Sequence, residues 1–367
     1  MTKIIDHRYA HLLCDKYHIT DQSMVIVVHD NREAKLLENE LSLYMDKNKI
    51  KYFPDNEILP YDHFSIPENI QKERFQILNS LNSQKEVVIT TIKSLFELYP
   101  TIDLFKSKEV FKIHDGISLK NLENILISLN YEKTNKIESL NQYAIRGGII
   151  DIFTPIYRNP LRVEIFDDEI ESIRYFDIET QLSIEKIENF KLTKSSLYGL
   201  DEKNLKLFRD NWRNYFQNND ERHCEIFQKL NKNEKVEGSD IYLPLFFNKT
   251  STFFDLFLEY EFILLKNLDT EISLYDTYIY QRYNDENIDS ARPLLKPKDC
   301  FVHKDLVMSF CSKDKIVKAK DNYKIPCFKD FESLLRLIDN KEINNKKIIL
   351  ITSIQSEYEK LIKKFST

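Results

Sequence analysis

The chain has 367 residues, of which 42% are hydrophobic and 31% are charged, a composition typical of a globular protein with more than one hydrophobic core. Its net charge is -6 and its isoelectric point is about 5.9, which excludes the broad basic surface that non-specific nucleic-acid binding requires. We therefore expect weak or no DNA binding by this segment. No stretch approaches the roughly 18 apolar residues that cross a membrane, so no membrane partner is expected.

The cysteines and histidines predict neither a disulfide nor a metal centre. Five cysteines without a CxxC pair fit free thiols in a reducing compartment, and we expect a cytoplasmic protein. The strongest metal candidate is a set that would line one face of an N-terminal helix: His7, His11, Cys14 and His18. Such a set also needs hydrogen-bond partners that orient its ligands, and scattered histidines more often bind no metal. We expect no metal.

Residues 1–109 are predicted to form an α/β layer. The apolar run SMVIVVH (23–29) is typical of a buried parallel strand, and Asp30 can cap the helix that follows in NREAKLLENELSLYM. Further strands are predicted at KYF (51–53) and EVVITT (86–91), with a helix in PENIQKERFQILNSL between them.

The turn after the first strand lacks the glycines that hold phosphate. A P-loop, GxxxxGK[ST], needs glycine because only glycine lets successive backbone amides wrap around a phosphate. The five glycines of the chain form neither this pattern nor GxGxxG, and the turn reads HDNREAK. GxSxG and HExxH are also absent. We expect no nucleotide, no other cofactor and no catalytic residues in this segment.

A β-rich domain is predicted at 110–192. After a helix capped by Ser118, the pattern changes to a period of two in IIDIFT (149–154), LRVEIF (161–166) and IESIRYF (170–176), which predicts an antiparallel meander. The acidic stretch FDDEIE reads as a solvated turn rather than as a catalytic carboxylate pair.

Helical patterns follow the meander. EKNLKLFRDNWRNYF (202–216) has an apolar face with Trp212 in it, and a second helix is predicted near 270–284. The aromatic stretch PLFFNKTSTFFDLF (244–257) is predicted to fill a core. KKIILITSIQSEYEKLIKKF (346–365) repeats the strand-then-helix layout of the N-terminus, so we expect the chain to be a fragment of a longer protein.

The stretch YAIRGGIIDIF (143–153) places Gly147 and Gly148 side by side next to Arg146. Glycine where a strand begins indicates a bulge or a close backbone approach. Segment 143–177 holds four of the 13 arginines and none of the 40 lysines. Because the planar guanidinium makes contacts of fixed geometry, this bias favours a recognition surface.

Strand alternation along 161–166 places the aliphatic side chains on one face and Arg162, Glu164 and Phe166 on the other. An exposed phenylalanine beside an arginine on a rigid sheet has the composition of a protein-binding hot spot, and we expect this face to be exposed. These residues alone leave an alternative open, in which other parts of the same chain cover both faces of the sheet.

Three long stretches resemble the N-terminal region of the bacterial transcription-repair coupling factor, Mfd: YFPDNEILPYDHFSIPENIQKERFQILNSL, YAIRGGIIDIFTP and LRVEIFDDEIESIRYFDIETQLSIEKIENFKL. LFRDNWRNYF, YLPLFF and RPLLKP extend the likeness over nearly the whole chain. The resemblance implies a UvrB-like split α/β domain, a degenerate P-loop helicase fold with an inserted β-rich α+β domain. It implies four parts: domain 1a (1–109), domain 2 (110–192), domain 1b (193–315) and the truncated start of a third α/β domain (316–367).

The resemblance also implies a partner. In the family, domain 2 recruits the damage-recognition ATPase UvrA, and the UvrA-contacting residues fall on Arg146, Arg162 and Phe166. RNA polymerase, DNA and ATP-dependent translocation would belong to later domains, beyond Thr367. The alternative is UvrB itself, a helicase subunit of the excision nuclease, which would have a P-loop and a long aromatic hairpin after the YD segment. A third reading, an unrelated α/β enzyme, would need a catalytic constellation that the sequence lacks.

Overall fold

The computed structural model has a mixed α/β architecture, as predicted. It describes residues 8–81, 84–102, 109–193, 202–217, 221–232, 234, 236–265, 268–287, 291–311, 359 and 363. The described helices are, in chain order, α1 (Arg8–Ile19), α2 (Asn31–Leu41), α3 (Glu68–Ser80), α4 (Leu119–Ser128), α5 (Glu202–Tyr215), α6 (Glu225–Asn231), α7 (Phe253–Leu256), α8 (Asp269–Glu286), α9 (Pro297–Cys300) and α10 (Lys304–Cys311). The described strands are β1 (Met24–Val28), β2 (Ile50–Tyr52), β3 (Val87–Thr91), β4 (Leu98–Tyr99), β5 (Glu109–Lys112), β6 (Glu132–Lys133), β7 (Gln142–Arg146), β8 (Ile149–Ile152), β9 (Leu161–Phe166), β10 (Glu169–Phe176), β11 (Ser183–Lys186), β12 (Asn189–Leu192), β13 (Ser251–Thr252) and β14 (Glu261–Leu264).

The first sheet is parallel and has the strand order β14-β1-β3-β2. All five residues of β1 and of β3 are buried, which is why both strands are continuous apolar or small-residue runs in the sequence. One face of β1 packs under α1 and α2, and the other faces the aromatic core. Asp30 caps α2 by accepting a hydrogen bond of 2.9 Å from the backbone amide of Glu33, as predicted.

The chain returns to this sheet after the inserted β-rich segment. Strand β14 pairs in parallel with β1, from Met24 opposite Glu261 to Val27 opposite Leu264. The Tyr61 hydroxyl also donates to the carbonyl of Leu295 at 3.0 Å. Residues on both sides of 110–192 therefore share one sheet and one core.

The aromatic stretches fill that core, as the sequence predicted. Phe208 and Trp212 of α5 are fully buried, and Phe208 stacks on Phe246 with ring centroids 4.5 Å apart. Phe253 and Phe257 are buried in the same core and stack on each other with ring centroids 4.4 Å apart. Burial of this aromatic surface stabilises this side of the sheet.

The second sheet has the strand order β11-β10-β9-β8-β7-β6, and its strands β7 to β11 form the predicted antiparallel meander. Strands β5 and β12 form a separate antiparallel pair, and α4, capped by Ser118 as predicted, contributes to the same hydrophobic core. Lys72 of α3 contacts this β-rich part by donating to the carbonyl of Arg158 at 2.9 Å and lying 5.0 Å from the ring centre of Phe153.

The predicted strand and helix at 346–365, and the third α/β domain at 316–367, fall outside the described residues apart from 359 and 363. Among the helices that are described, none is long and apolar enough to span a bilayer.

Candidate protein-binding site

The two glycines of YAIRGGIIDIF form the turn that joins β7 to β8. Gly147 has a φ of 61°, a conformation that L side chains rarely adopt, and Arg146 lies opposite Ile149 without a register shift. A Cβ on Gly148 would lie 2.7 Å from the carbonyl oxygen of Ile165, whose amide donates back to the carbonyl of Gly148 at 2.8 Å. The close backbone approach is confirmed, and the pair forms a hairpin turn rather than a bulge.

A second hairpin turn lies at the same end of the sheet. Asp167 and Asp168 join β9 to β10 with φ values of 49° and 58°, the pattern of a type I′ turn. Both aspartates are exposed, which confirms the predicted solvated turn. Phe166, the last residue of β9, precedes this turn and lies opposite Glu169.

Phe166 projects into solvent. Its side chain is 74% exposed, whereas Val163 on the opposite face of the same strand is fully buried. Strand alternation therefore placed Phe166 correctly. Within the described residues, the ring of Phe166 is not part of the hydrophobic core of this sheet.

Arg162 lies on the predicted face, but the expectation that it is exposed is wrong. Its side chain is only 15% exposed. Its Nε and one terminal nitrogen donate to the carboxylate of Asp151 at 2.7 and 2.9 Å, and its guanidinium lies 4.2 Å from the ring centre of Phe176. Gln181 also accepts from it, through the side-chain oxygen at 3.2 Å. The loop after β10 and the ring of Phe176 cover this part of the face, which strand alternation cannot report.

Asp151 connects the two arginines. Its side chain is 1% exposed, and besides Arg162 it accepts a hydrogen bond of 2.6 Å from a terminal nitrogen of Arg146. Arg146, half exposed, lies at the edge of the cluster. Sequence reasoning missed Asp151, although an acid among three isoleucines, with arginines on both neighbouring strands, was a usable signal.

Residues 110–198, which contain this cluster, match the family model of the UvrB interaction domain. The chain is 31% identical over 286 residues to the transcription-repair-coupling factor of Haemophilus influenzae, covering 77% of this chain and 25% of the relative. It is 28% identical over 291 residues to that of Escherichia coli, and 25% identical over 209 residues to that of Staphylococcus aureus.

Over about three quarters of its length, this chain is thus similar to transcription-repair-coupling factors, and its β-rich part matches the UvrB interaction domain. It spans about a quarter of the length of the relatives from H. influenzae and E. coli. Of the residues that the coupling-factor resemblance singled out, Arg146 and Phe166 are exposed on one face of the β-rich domain, and Arg162 is largely covered by Phe176 and the loop after β10.

A second ion pair crosses the same face of the β-rich domain. Arg174 on β10 pairs with Glu164 on β9, and the hydroxyl of Ser172 donates to Glu164 at 2.5 Å. The hydrogen bond from Ser172, opposed by burial and supported by Arg174, lowers the pKa of Glu164. Likewise, the hydrogen bonds to Asp151 raise the pKa of Arg162. Arg174 and Arg162 therefore each have a carboxylate partner within the chain.

The turn after β1, where a helicase would hold phosphate, presents carboxylates in this chain. Asp30 accepts the amide of Glu33, the Glu33 carboxylate accepts the amide of His29 at 3.3 Å, and Asp55 accepts the amide of Glu57 at 2.9 Å. Burial alone would raise the pKa of Asp30, but the bonds from the Glu33 amide and from His29 lower it overall. The amide of Glu33 in the first turn of α2 is thus satisfied by the carboxylate of Asp30, and a carboxylate at this position repels an anion.

The candidate metal ligands do not converge. His11, Cys14 and His18 lie on α1, but the thiol of Cys14 is buried and faces the carbonyl of Tyr44, whereas His18 is exposed. His7 lies outside the described residues. In the part of the chain that the structure describes, no group of three or more histidine, cysteine, aspartate or glutamate side chains could hold a metal ion.

Proposed function

We propose that this chain is the UvrB-like adaptor region of a transcription-repair coupling factor, and that its β-rich domain binds UvrA and recruits it to RNA polymerase stalled at DNA damage. The observation that carries the proposal is that Phe166 and Arg146 are both exposed on one face of the sheet that matches a UvrB interaction domain. Contacts with polymerase and DNA, and ATP-driven translocation, belong in this proposal to later domains of the complete factor.

The proposed architecture is that of UvrB, with domain 1a (1–109) and domain 1b (193–315) enclosing domain 2 (110–192). Its support is the parallel pairing of β14 with β1, which joins the segments before and after the insertion in one sheet. In this arrangement the interaction domain projects from a split α/β unit and presents its outer face to a partner.

The proposed adaptor binds no nucleotide, other cofactor or metal in this segment. The support is the acidic, glycine-free turn after β1, in which Asp30 already caps α2. We expect equilibrium dialysis of the purified chain against ATP and Mg²⁺ to give no stoichiometric binding at micromolar concentrations. Stoichiometric micromolar binding would instead favour a UvrB-type helicase.

The proposal is tested by titrating the 367-residue chain against purified UvrA. Phe166→Ala should weaken binding roughly thirtyfold, or about 2 kcal/mol, because exposed aromatic side chains at interface centres contribute most of the affinity. Phe64→Ala is the matched control, since Phe64 is 68% exposed but belongs to the α/β unit. It should bind like the unaltered chain.

Neither substitution should lower the melting temperature, because neither side chain is part of a core. If the unaltered chain does not bind UvrA, the proposed function is wrong. If Phe166→Ala and Phe64→Ala bind equally well, UvrA binds to another surface of the chain.

A further inference from the structure

The α/β unit (8–102 and 202–311) and the β-rich domain have separate hydrophobic cores. In the part of the chain that the structure describes, no buried residue belongs to a core of both units. Two units of one chain that share no core move relative to each other unless other contacts hold them. The orientation of the β-rich domain therefore depends on side chains that reach from one unit to the other.

Lys72 of α3 makes a contact of this kind. Its Nζ donates to the backbone carbonyl of Arg158 at 2.9 Å and lies 5.0 Å from the ring centre of Phe153, close enough for a cation–π interaction. Phe153 packs against a small apolar cluster that includes Phe176, the ring that Arg162 covers. Lys72 therefore reaches from the α/β unit to the outer face of the second sheet.

Two effects oppose this contact. Burial, and to a smaller extent the positive charge of Arg158, lowers the pKa of Lys72. The ammonium therefore gives up hydration and approaches a like charge when it binds to the carbonyl and the ring. Because these costs offset much of the hydrogen bond and the cation–π attraction, the net free energy of the contact is small, and the contact can open and close.

We infer that Lys72 is a latch between the two units. While it binds Phe153 and the carbonyl of Arg158, the β-rich domain keeps one orientation relative to the α/β unit, and when it leaves, the domain turns away from α3. In the closed state Lys72 covers the ring of Phe153, and in the open state water reaches that ring. The inference concerns the chain by itself, so its test needs no UvrA.

Single-molecule energy transfer in the 367-residue chain distinguishes the two orientations. Donor and acceptor dyes are attached through unnatural amino acids at Asn48 of the α/β unit and Lys120 of the β-rich domain, which are both exposed. Lys72→Ala removes the hydrogen bond and the cation–π contact, and should raise the population of the open orientation roughly tenfold. Lys35→Ala is the matched control, because it removes an exposed lysine from the neighbouring helix α2, and it should leave the population unchanged.

Arg158→Gln tests the latch in the opposite direction. It removes the like charge near the ammonium but keeps the backbone carbonyl that accepts from Lys72, so the open population should fall by about twofold. Because Arg158 is exposed, this variant should fold like the unaltered chain.

Hydroxyl-radical oxidation, read by mass spectrometry, provides a second measurement. It reports on the exposure of Phe153, with Phe166, 74% exposed, as the internal reference. In Lys72→Ala the oxidation of Phe153 and the open population should rise together. Faster oxidation of Phe153 without a change in energy transfer would show that Lys72 only shields a ring, and would overturn the inference. An open population that neither Lys72→Ala nor Arg158→Gln changes would overturn it as well.

Discussion

Replacing Asp151 by asparagine should destabilise the β-rich domain strongly while leaving the α/β core intact. The side chain keeps its shape but loses its charge, and one of its oxygens becomes an NH₂ group that faces guanidinium N–H groups. Three hydrogen bonds from arginines are then weakened or lost, at a site that is 1% exposed.

The magnitude follows from the two partners separately. Breaking a buried ion pair by removing one partner costs about 3–5 kcal/mol, and the 15% of the Arg162 side chain that stays in contact with solvent places its pair with Asp151 near the lower end of that range. Arg146 is half exposed, so water replaces its lost bond and the added cost is at most about 1 kcal/mol. We expect a total of about 3 kcal/mol.

Hydrogen exchange measured by mass spectrometry provides the assay, because it reports on each segment of a multidomain chain separately. A loss of about 3 kcal/mol should accelerate exchange of the amides in β7 to β10 by roughly a hundredfold. Trp212, the one tryptophan of the chain, lies in the α/β core. The urea midpoint of unfolding followed by its fluorescence should therefore stay unchanged.

Glu164→Gln is the matched control, since it removes a carboxylate from the same sheet face whose pair with Arg174 is partly exposed. It should cost at most about 1 kcal/mol. If Asp151→Asn and Glu164→Gln accelerate exchange equally, burial of the Asp151 carboxylate does not determine the strength of the cluster, and the reasoning is refuted.

Two further changes test the sheet. Gly148→Ala should destabilise the β-rich domain more than Gly147→Ala. A Cβ at position 148 would lie 2.7 Å from the carbonyl oxygen of Ile165, whereas a Cβ at position 147 would have open space and only an unfavourable φ. Equal melting temperatures of the two variants would contradict this expectation. The lowered pKa of Glu164 means that its carboxylate stabilises the fold above its ordinary pKa of 4.5, and that this contribution is lost as the pH falls through the lower folded value. Urea midpoints followed by circular dichroism from pH 7 to pH 3 should therefore fall less steeply for Glu164→Gln than for the unaltered chain; parallel slopes would rule out Glu164 as a source of the acid sensitivity.

Much of the fold could be predicted because its signals are local. The buried strand at 23–29, the caps at Asp30 and Ser118 and the meander at 149–176 depend on periodicity and on side chains within a few residues of one another. The exposure of Phe166 belongs to the same class, since alternation alone assigns a residue to a face. The resemblance to coupling factors was readable for the same reason, because its motifs are contiguous.

Tertiary structure alone decided which strands are neighbours and which outward-facing side chains are covered. The pairing of β14 with β1 joins residues more than 230 positions apart, and no local pattern determines such a neighbour. Arg162 is on the face that alternation gave it, but its burial depends on Asp151, Phe176 and Gln181, which come from three other segments. Sequence thus determined which residues face outward from the sheet. Only the packing of distant segments determined that Arg146 keeps its charge exposed while Arg162 does not, because hydrogen-bond partners and solvent access are properties of the assembled chain.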